Sequence, residues 1–319
     1  MLKVFSHSGH GLRTIATPQD LSLSPNAVWI DLLEPTREEE LAVERALGVE
    51  LPTREEMAEI EPSSRLYQEA GATVLIATVL TDSETARPRN SPVTFVLAGN
   101  ALVTIRYVKP RAFEVFAAQV ERQPEATAGG AQVFIGLLDS IVDRLADVLE
   151  RTSAQVERTS LDVFSRPRTA PFEDIIDSLG RAQVIDSKVR DSLVSLHRMI
   201  SFAGLAEQIE TNHECREHLA SLHRDVQSLT DHCSYQSGNI TFLLDAAMGL
   251  INIEQNSILK RFSVFSIMFI PPTLIAGVYG MNFHHMPELD WAWGYLGAVI
   301  LMLIAAFGPI LYFRRRGWL

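Results

Sequence analysis

The chain has little cysteine. Its 319 residues include two, Cys215 and Cys233, too few and too far apart for a disulfide framework or a paired-cysteine metal site. Reduced thiols are the expectation. The opening residues, MLKVFSHSGHGLRT, lack the apolar stretch of a cleaved secretory signal. Basic residues are in deficit, 28 against 39 acidic, which argues against a nucleic-acid partner and is compatible with a cationic ligand. No Walker lysine loop, nucleophile elbow or zincin signature occurs, so neither catalysis nor an organic cofactor is expected. His213, His218, His223 and His232 accompany the two cysteines, but not at zinc-site spacings.

The most informative absence is of charge. Phe262 to Pro287 contains no Asp, Glu, Lys or Arg, and neither does Trp291 to Phe313. Each run can cross a hydrocarbon core of about 30 Å, which takes roughly 20 apolar residues. A mean hydropathy of +0.09 conceals this asymmetry. Lys260, Arg261, Arg314, Arg315 and Arg316 flank the runs, and Glu288 and Asp290 lie between them. The remainder holds 23 basic against 37 acidic residues, a net −14. By the positive-inside rule both termini are cytoplasmic, the loop from His284 to Asp290 is external, and the lipid bilayer is a partner. Trp291, Trp293 and Tyr295 would mark the outer interface, Tyr312 and Trp318 the inner one.

What is present before the membrane runs is an α+β pattern. Val28–Leu32, Thr73–Leu80, Val93–Leu97 and Ala101–Tyr107 are short apolar segments bounded by Gly71, Pro92, Gly99 and Asn100, the spacing of strands. Thr36 caps an amphipathic helix ending near Gly48, and Thr53 with Glu56 repeats the capping box. After Gly129-Gly130 only helical periodicity remains, over Phe134–Phe164, Phe172–Phe202 and about Leu205 to Met281. The last stretch would span roughly 100 Å if unbroken, with Gly204, Gly238 and Gly249 as candidate breaks. The expected organisation is a cytoplasmic α/β domain over 1–130 and a helical region and stalk over 131–255. The stalk end and first transmembrane helix occupy 256–282, an external loop 283–290, the second transmembrane helix 291–313, and a basic tail 314–319.

The first span is more than an anchor. Asn256, Leu259, Ser263, Ser266, Ile270, Thr273, Gly277 and Gly280 alternate steps of three and four, and most are small or polar. Such a stripe suits close helix packing or the lining of a wet pore. Pro271-Pro272 favour the pore, because the carbonyls they free are tolerated only against protein or water. Two helices per chain cannot enclose a pore, so a pore requires a ring of identical subunits.

Tyr279-Gly280-Met281-Asn282-Phe283 followed by Met286-Pro287-Glu288-Leu289 resembles the YGMNF…MPEL signature of the CorA family of metal-ion transporters. Asn252–Asn256, Phe269–Ile275 and Tyr312–Leu319 resemble that family too, so the close likeness covers about Leu243 to Leu319. The resemblance implies a funnel-shaped homopentamer in the bacterial inner membrane that conducts Mg²⁺, and often Co²⁺ and Ni²⁺, into the cytoplasm down the membrane potential. It implies a selectivity filter at Gly280, Met281 and Asn282. Mg²⁺ keeps much of its water, and an amide oxygen suits a hydrated ion better than a carboxylate that would retain it. On this reading Asn256 and Thr273 are inner stations, Leu259 and Phe262 an apolar constriction, and Glu288 and Asp290 attract cations to the mouth. Regulatory Mg²⁺ would be held by carboxylates between subunits, with Asp82, Glu84, Asp225 and Asp231 as candidates. His284 and His285 depart from the family pattern; imidazole favours transition metals over Mg²⁺, which makes the pair a candidate contact for such ions. A Zn²⁺ transporter of the related ZntB branch and a membrane-anchored enzyme or signalling module are the competing readings.

Overall fold

The computed structural model describes residues 1–6, 27–59, 61–85, 87–122, 129–165, 170–281, 284, 286–287 and 291–316. The chain divides into two compact units, Met1–Leu244 and Asp245–Leu319.

The first unit is built on a six-stranded sheet. Its strands are β1 (Leu2–Ser6), β2 (Ala27–Leu33), β3 (Leu66–Glu69), β4 (Ala72–Thr81), β5 (Arg89–Ala98) and β6 (Ala101–Arg106), in the spatial order β1-β2-β6-β5-β4-β3. Only β2 and β6 pair in parallel, with Asp31 opposite Thr104; the other neighbours are antiparallel. Both faces are covered, which is why β4 reads ATVLIATVLT, a near-continuous apolar run, instead of alternating. On one face Val4, Ile30, Ile76 and Val103 pack against Val43 of α1 (Arg37–Leu47) and Met57 of α2 (Arg54–Met57). After the short α3 (Pro62–Arg65), the opposite face takes Trp29, Leu75, Phe95 and Leu102 against the later helices. These are α4 (Arg111–Arg122), α5 (Gly130–Phe164) and α6 (Phe172–Ala203). Ser192 of α6 donates to the Thr78 carbonyl at 2.8 Å and Ser195 accepts from the Thr78 N–H at 2.9 Å, binding β4 to the helical layer.

Local chemistry explains the helix ends. Thr36 Oγ1 accepts from the Glu39 N–H while the Glu39 carboxylate accepts from the Thr36 N–H, and Gly48 closes α1 at φ 67°, in the left-handed region. Thr53 and Glu56 repeat the reciprocal cap on α2. A buried network joins the parallel pair. Arg106 donates to both oxygens of Asp31, at 2.9 and 2.7 Å, and to the Val108 carbonyl at 3.0 Å. Trp29 Nε1 donates to Thr104, whose hydroxyl donates to Asp31 at 2.8 Å.

Of the candidate breaks, Gly204 ends α6. The short α7 (Glu207–Glu210) follows, and then α8 runs from His213 to Tyr279 without interruption at Gly238 or Gly249. A helix of 67 residues absorbs these two glycines, and Gly277 near its end, at about 1 kcal/mol each. In the second unit the end of α8 is accompanied by α9 (Gly294–Arg315). Among the described residues these two helices are long and apolar enough to cross a bilayer.

Candidate ion-conduction site

The membrane part of α8 has two unlike faces. Val264, Met268, Pro272, Ile275 and Tyr279, at steps of three and four, are half-buried. Met268 and Pro272 share a crevice with Val299, Met302, Leu303 and Ala306 of α9. Asn256, Leu259, Phe262, Ser263, Ser266, Ile270, Thr273, Gly277 and Gly280 are all exposed. Ile270, Thr273, Gly277 and Met281 line an open groove of about 560 Å³ together with Phe269, Leu274 and Val278. The stripe picked out by its spacing therefore lies on the side that α9 leaves uncovered. Pro272 does not; it packs toward α9. Loss of the N–H groups of Pro271 and Pro272 frees the carbonyls of Ile267 and Met268, four residues earlier, on half-buried positions.

The hydroxyls on the open face are oriented by their own helix. Ser263 donates to the Leu259 carbonyl at 2.9 Å, Ser266 to Phe262 at 3.0 Å and Thr273 to Phe269 at 2.7 Å. A hydroxyl whose proton is engaged in this way offers its lone pairs outward as acceptors. Water held by a divalent cation is a donor, so such lone pairs can accept from a hydrated ion.

α8 ends at Tyr279; the Gly280 N–H bonds to the Ala276 carbonyl at 2.9 Å, and Met281 follows, about half exposed. Asn282 lies outside the described residues, as do His285, Glu288 and Asp290; His284 is exposed.

The candidate regulatory acids are not brought together within one chain. Glu84 accepts from Arg111 at 2.6 Å, Arg144 at 2.9 Å and Arg151 at 3.4 Å. These guanidinium groups, the Arg144 hydrogen bond foremost, hold its carboxyl below the usual range. A metal at Glu84 would have to displace three cations. Asp82 sits at φ 55° with Arg89 3.8 Å away. Asp231 accepts from Gln227 at 3.1 Å. Asp225 bears on a group the sequence reading missed. Asp143 of α5 is exposed by area, yet crowding by neighbouring atoms, then Asp139, Asp147 and Asp225, raises its carboxyl. The four-residue spacing of Asp139, Asp143 and Asp147 was the available signal. The histidines of the first unit are dispersed: His218 lies 3.6 Å from Asp139, the rings of His223 and His197 meet at a tilt, and His232 meets Ser153. Among the described residues no three His, Cys, Asp or Glu side chains form a metal-binding group.

A folded α/β unit, one helix that serves both that unit and a bilayer-length hairpin, and an open hydroxyl-bearing face define a membrane transport protein. The chain belongs to the CorA-like Mg²⁺ transporter protein family, whose model matches residues 25–315 and whose members are transporters, not enzymes. It is 34% identical to the magnesium transport protein CorA of Escherichia coli (strain K12) over 319 residues, covering 100% of both chains. In fold it matches the complete CorA magnesium transporter from Methanocaldococcus jannaschii with a TM-score of 0.79 at 19% identity, over 100% of this chain and 99% of that one. The ZntB cytoplasmic domain from Vibrio parahaemolyticus shares the fold of the soluble part, with a TM-score of 0.61 at 12% identity, over 78% of this chain and 97% of that one.

Proposed function

We propose that this chain forms a homopentameric channel in the bacterial inner membrane that admits Mg²⁺, and with it Co²⁺ and Ni²⁺, to the cytoplasm. The observation that carries this reading is the face of α8 that α9 leaves open, bearing Asn256, Ser263, Ser266, Thr273 and Gly277 and ending at Gly280-Met281. Five copies turned with this face inward give rings of acceptor oxygens at successive depths, and the exposed Leu259 and Phe262 give the apolar constriction. Asn282, next in sequence, supplies the selectivity ring: neutral amide oxygens accept from the ion's water shell and release it. Glu288 and Asp290 raise the cation concentration at the outer mouth.

Both termini face the cytoplasm, placing there the acidic first unit, with 23 basic against 35 acidic residues. Mg²⁺ bound between the acidic units of neighbouring subunits offsets their repulsion and holds the channel shut. Asp225 and Asp231 are better placed for this than Glu84, which already has three guanidinium partners. The driving force is electrical. Two charges moving through 100 mV gain about 4.6 kcal/mol, at about 2.3 kcal/mol per charge.

The test is metal-by-metal uptake into liposomes containing only this protein, with potential and pH gradient set separately. Mg²⁺ entry that follows the potential is the expected result. Entry of Zn²⁺ alone, driven by a pH gradient, would replace this reading with the ZntB-type one, and no flux of any ion would favour a membrane-anchored module.

A further inference from the structure

Three of the five buried side-chain polar atoms that lack a hydrogen-bond partner among the described residues lie in one seam of the first unit. They are Oε1 of Gln183 and Oδ1 of Asp186, both on α6, and Nε2 of Gln236 on α8. The seam is otherwise well connected. Gln183 Nε2 donates to Ser237 at 2.9 Å, and Ser153 of α5 donates to Gln236 Oε1 and meets His232 Nε2 at 3.1 Å. Asp186 is 1% exposed and sits beside Cys233, itself fully buried. Unsatisfied buried polar atoms cost about 1–3 kcal/mol each, so a concentration of them at one helix contact calls for a reason.

We propose that Asp186 is a proton-operated clamp between α6 and α8: with its proton on, it is a neutral member of the seam and the helices close; with its proton off, it is a buried charge lacking a salt-bridge partner and the contact loosens. The groups that act on it are few. Burial raises its carboxyl to about 6 from an ordinary 3.8, opposed by the Cys233 thiol, which donates to it, and by His232 on α8 and Arg190 on α6. No charged group of α5 contributes. His232 and Arg190 are exposed and do not reach the carboxylate as ion-pair partners. The sign follows directly. The closed seam holds the proton more tightly than an open one, so closure is fully favoured below the ordinary carboxylate range and loses that support as pH rises through about 6. A second titratable contact on the same helix pair has the opposite sign: the ring of His197 of α6 lies tilted against that of His223 of α8, centroids 4.4 Å apart, and burial, then His223, lowers its proton affinity. Acid therefore closes the Asp186 end and strains the His197 end. α8 is the helix whose later residues carry the stripe, so under the channel reading given above the seam couples pH around the first unit to flux.

The experiment is infrared difference spectroscopy of the full-length protein in lipid nanodiscs between about pH 5 and pH 7.5, with protease sensitivity of α8 followed in parallel. A protonated-carboxyl band that disappears with a midpoint near 6 is expected in wild type, together with cleavage of α8 that increases over the same interval. Asp186→Asn should lose the band and flatten the cleavage profile. Cys233→Ala, which keeps the carboxyl but removes the thiol donor, should move the midpoint to higher pH. His197→Gln should leave the band in place. Identical band and cleavage profiles in wild type and Asp186→Asn, or an unmoved midpoint in Cys233→Ala, would overturn the clamp. Neither readout depends on transport, so its failure is distinguishable from failure of the channel reading.

Discussion

The two units treat apolar residues in opposite ways. In Met1–Leu244 most large apolar side chains are buried, and Trp29, Phe95, Phe113 and Phe134 are fully so. In Asp245–Leu319 Leu259, Phe262, Phe265, Phe269, Ile270 and Leu274 are each about 60% exposed or more, and past Ala247 the buried apolar side chains of the described residues are Ala298 and Ala306. One chain in water could not hold such a surface; lipid covers part of it, and under the proposed function neighbouring copies cover the rest. The first unit encloses a core of its own, whereas the second leaves its apolar side chains open to its surroundings. Substitutions should therefore separate the two units cleanly.

The largest separation is expected at Asn282. Under the proposed function Asn282→Ala removes the oxygen offered to the hydrated ion, and Asn282→Asp turns a transient station into a charged ring that retains it. Both should abolish Mg²⁺ uptake in liposomes, with the pentamer intact by native mass and the first unit melting as in wild type. Wild-type flux through Asn282→Ala would remove the selectivity ring from the proposal.

Coupling between the units is the next effect. Millimolar Mg²⁺ on the cytoplasmic side should close the channel and protect the first unit from protease, since it offsets repulsion among acidic neighbours. Asp225→Asn combined with Asp231→Asn should shift both responses to higher Mg²⁺. An unchanged proteolysis pattern across the Mg²⁺ range would break the link.

Within the first unit alone, Asp31→Ala leaves Arg106 charged, buried and without its carboxylate. We expect a loss of about 3–5 kcal/mol, read as a lower melting midpoint. Thr36→Ala removes only a surface cap on α1 and should cost about 1 kcal/mol. If the two were equal, the β2–β6 network would not be the tie it is described as.

The same contrast governs what could be read from sequence. Local features were plain: the Thr36–Glu39 box, the stop at Gly48, and the strands around Val28, Thr73, Val93 and Ala101; of the three glycines offered as breaks, Gly204 is one and Gly238 and Gly249 are not. β1 and β3 were not seen, because Leu2–Ser6 and Leu66–Glu69 are short edge strands paired on one side only. α4 went unread as well. The parallel partnership of β2 with β6, and the three arginines from two helices on Glu84, join residues far apart in the chain, and no local period records them. In the membrane part the stripe was visible as a repeat, yet its exposure depends on which face α9 covers, and only packing decides that. Pro272 shows the difference: sequence argued for the pore, and packing put it toward α9.

The smallest expected effect is at the loop between α8 and α9, where His284 is exposed and His285 is its neighbour in sequence. Imidazole nitrogen binds Ni²⁺, Co²⁺ or Zn²⁺ far better than Mg²⁺, which takes oxygen. In the proposed pentamer ring symmetry would multiply the pair around the mouth, so external Ni²⁺ should inhibit Mg²⁺ entry at lower concentration than in His284→Ala, His285→Ala. The shift should be several-fold and confined to the mouth, leaving Mg²⁺ flux without Ni²⁺ unchanged. External acid should erase the difference, because protonated imidazole has no lone pair for the metal. Comparing inhibition curves for the two proteins at neutral and acidic external pH gives four conditions. Coincident curves in all four would assign Ni²⁺ inhibition to the oxygens of Asn282 and Glu288, and the histidines to solvated loop.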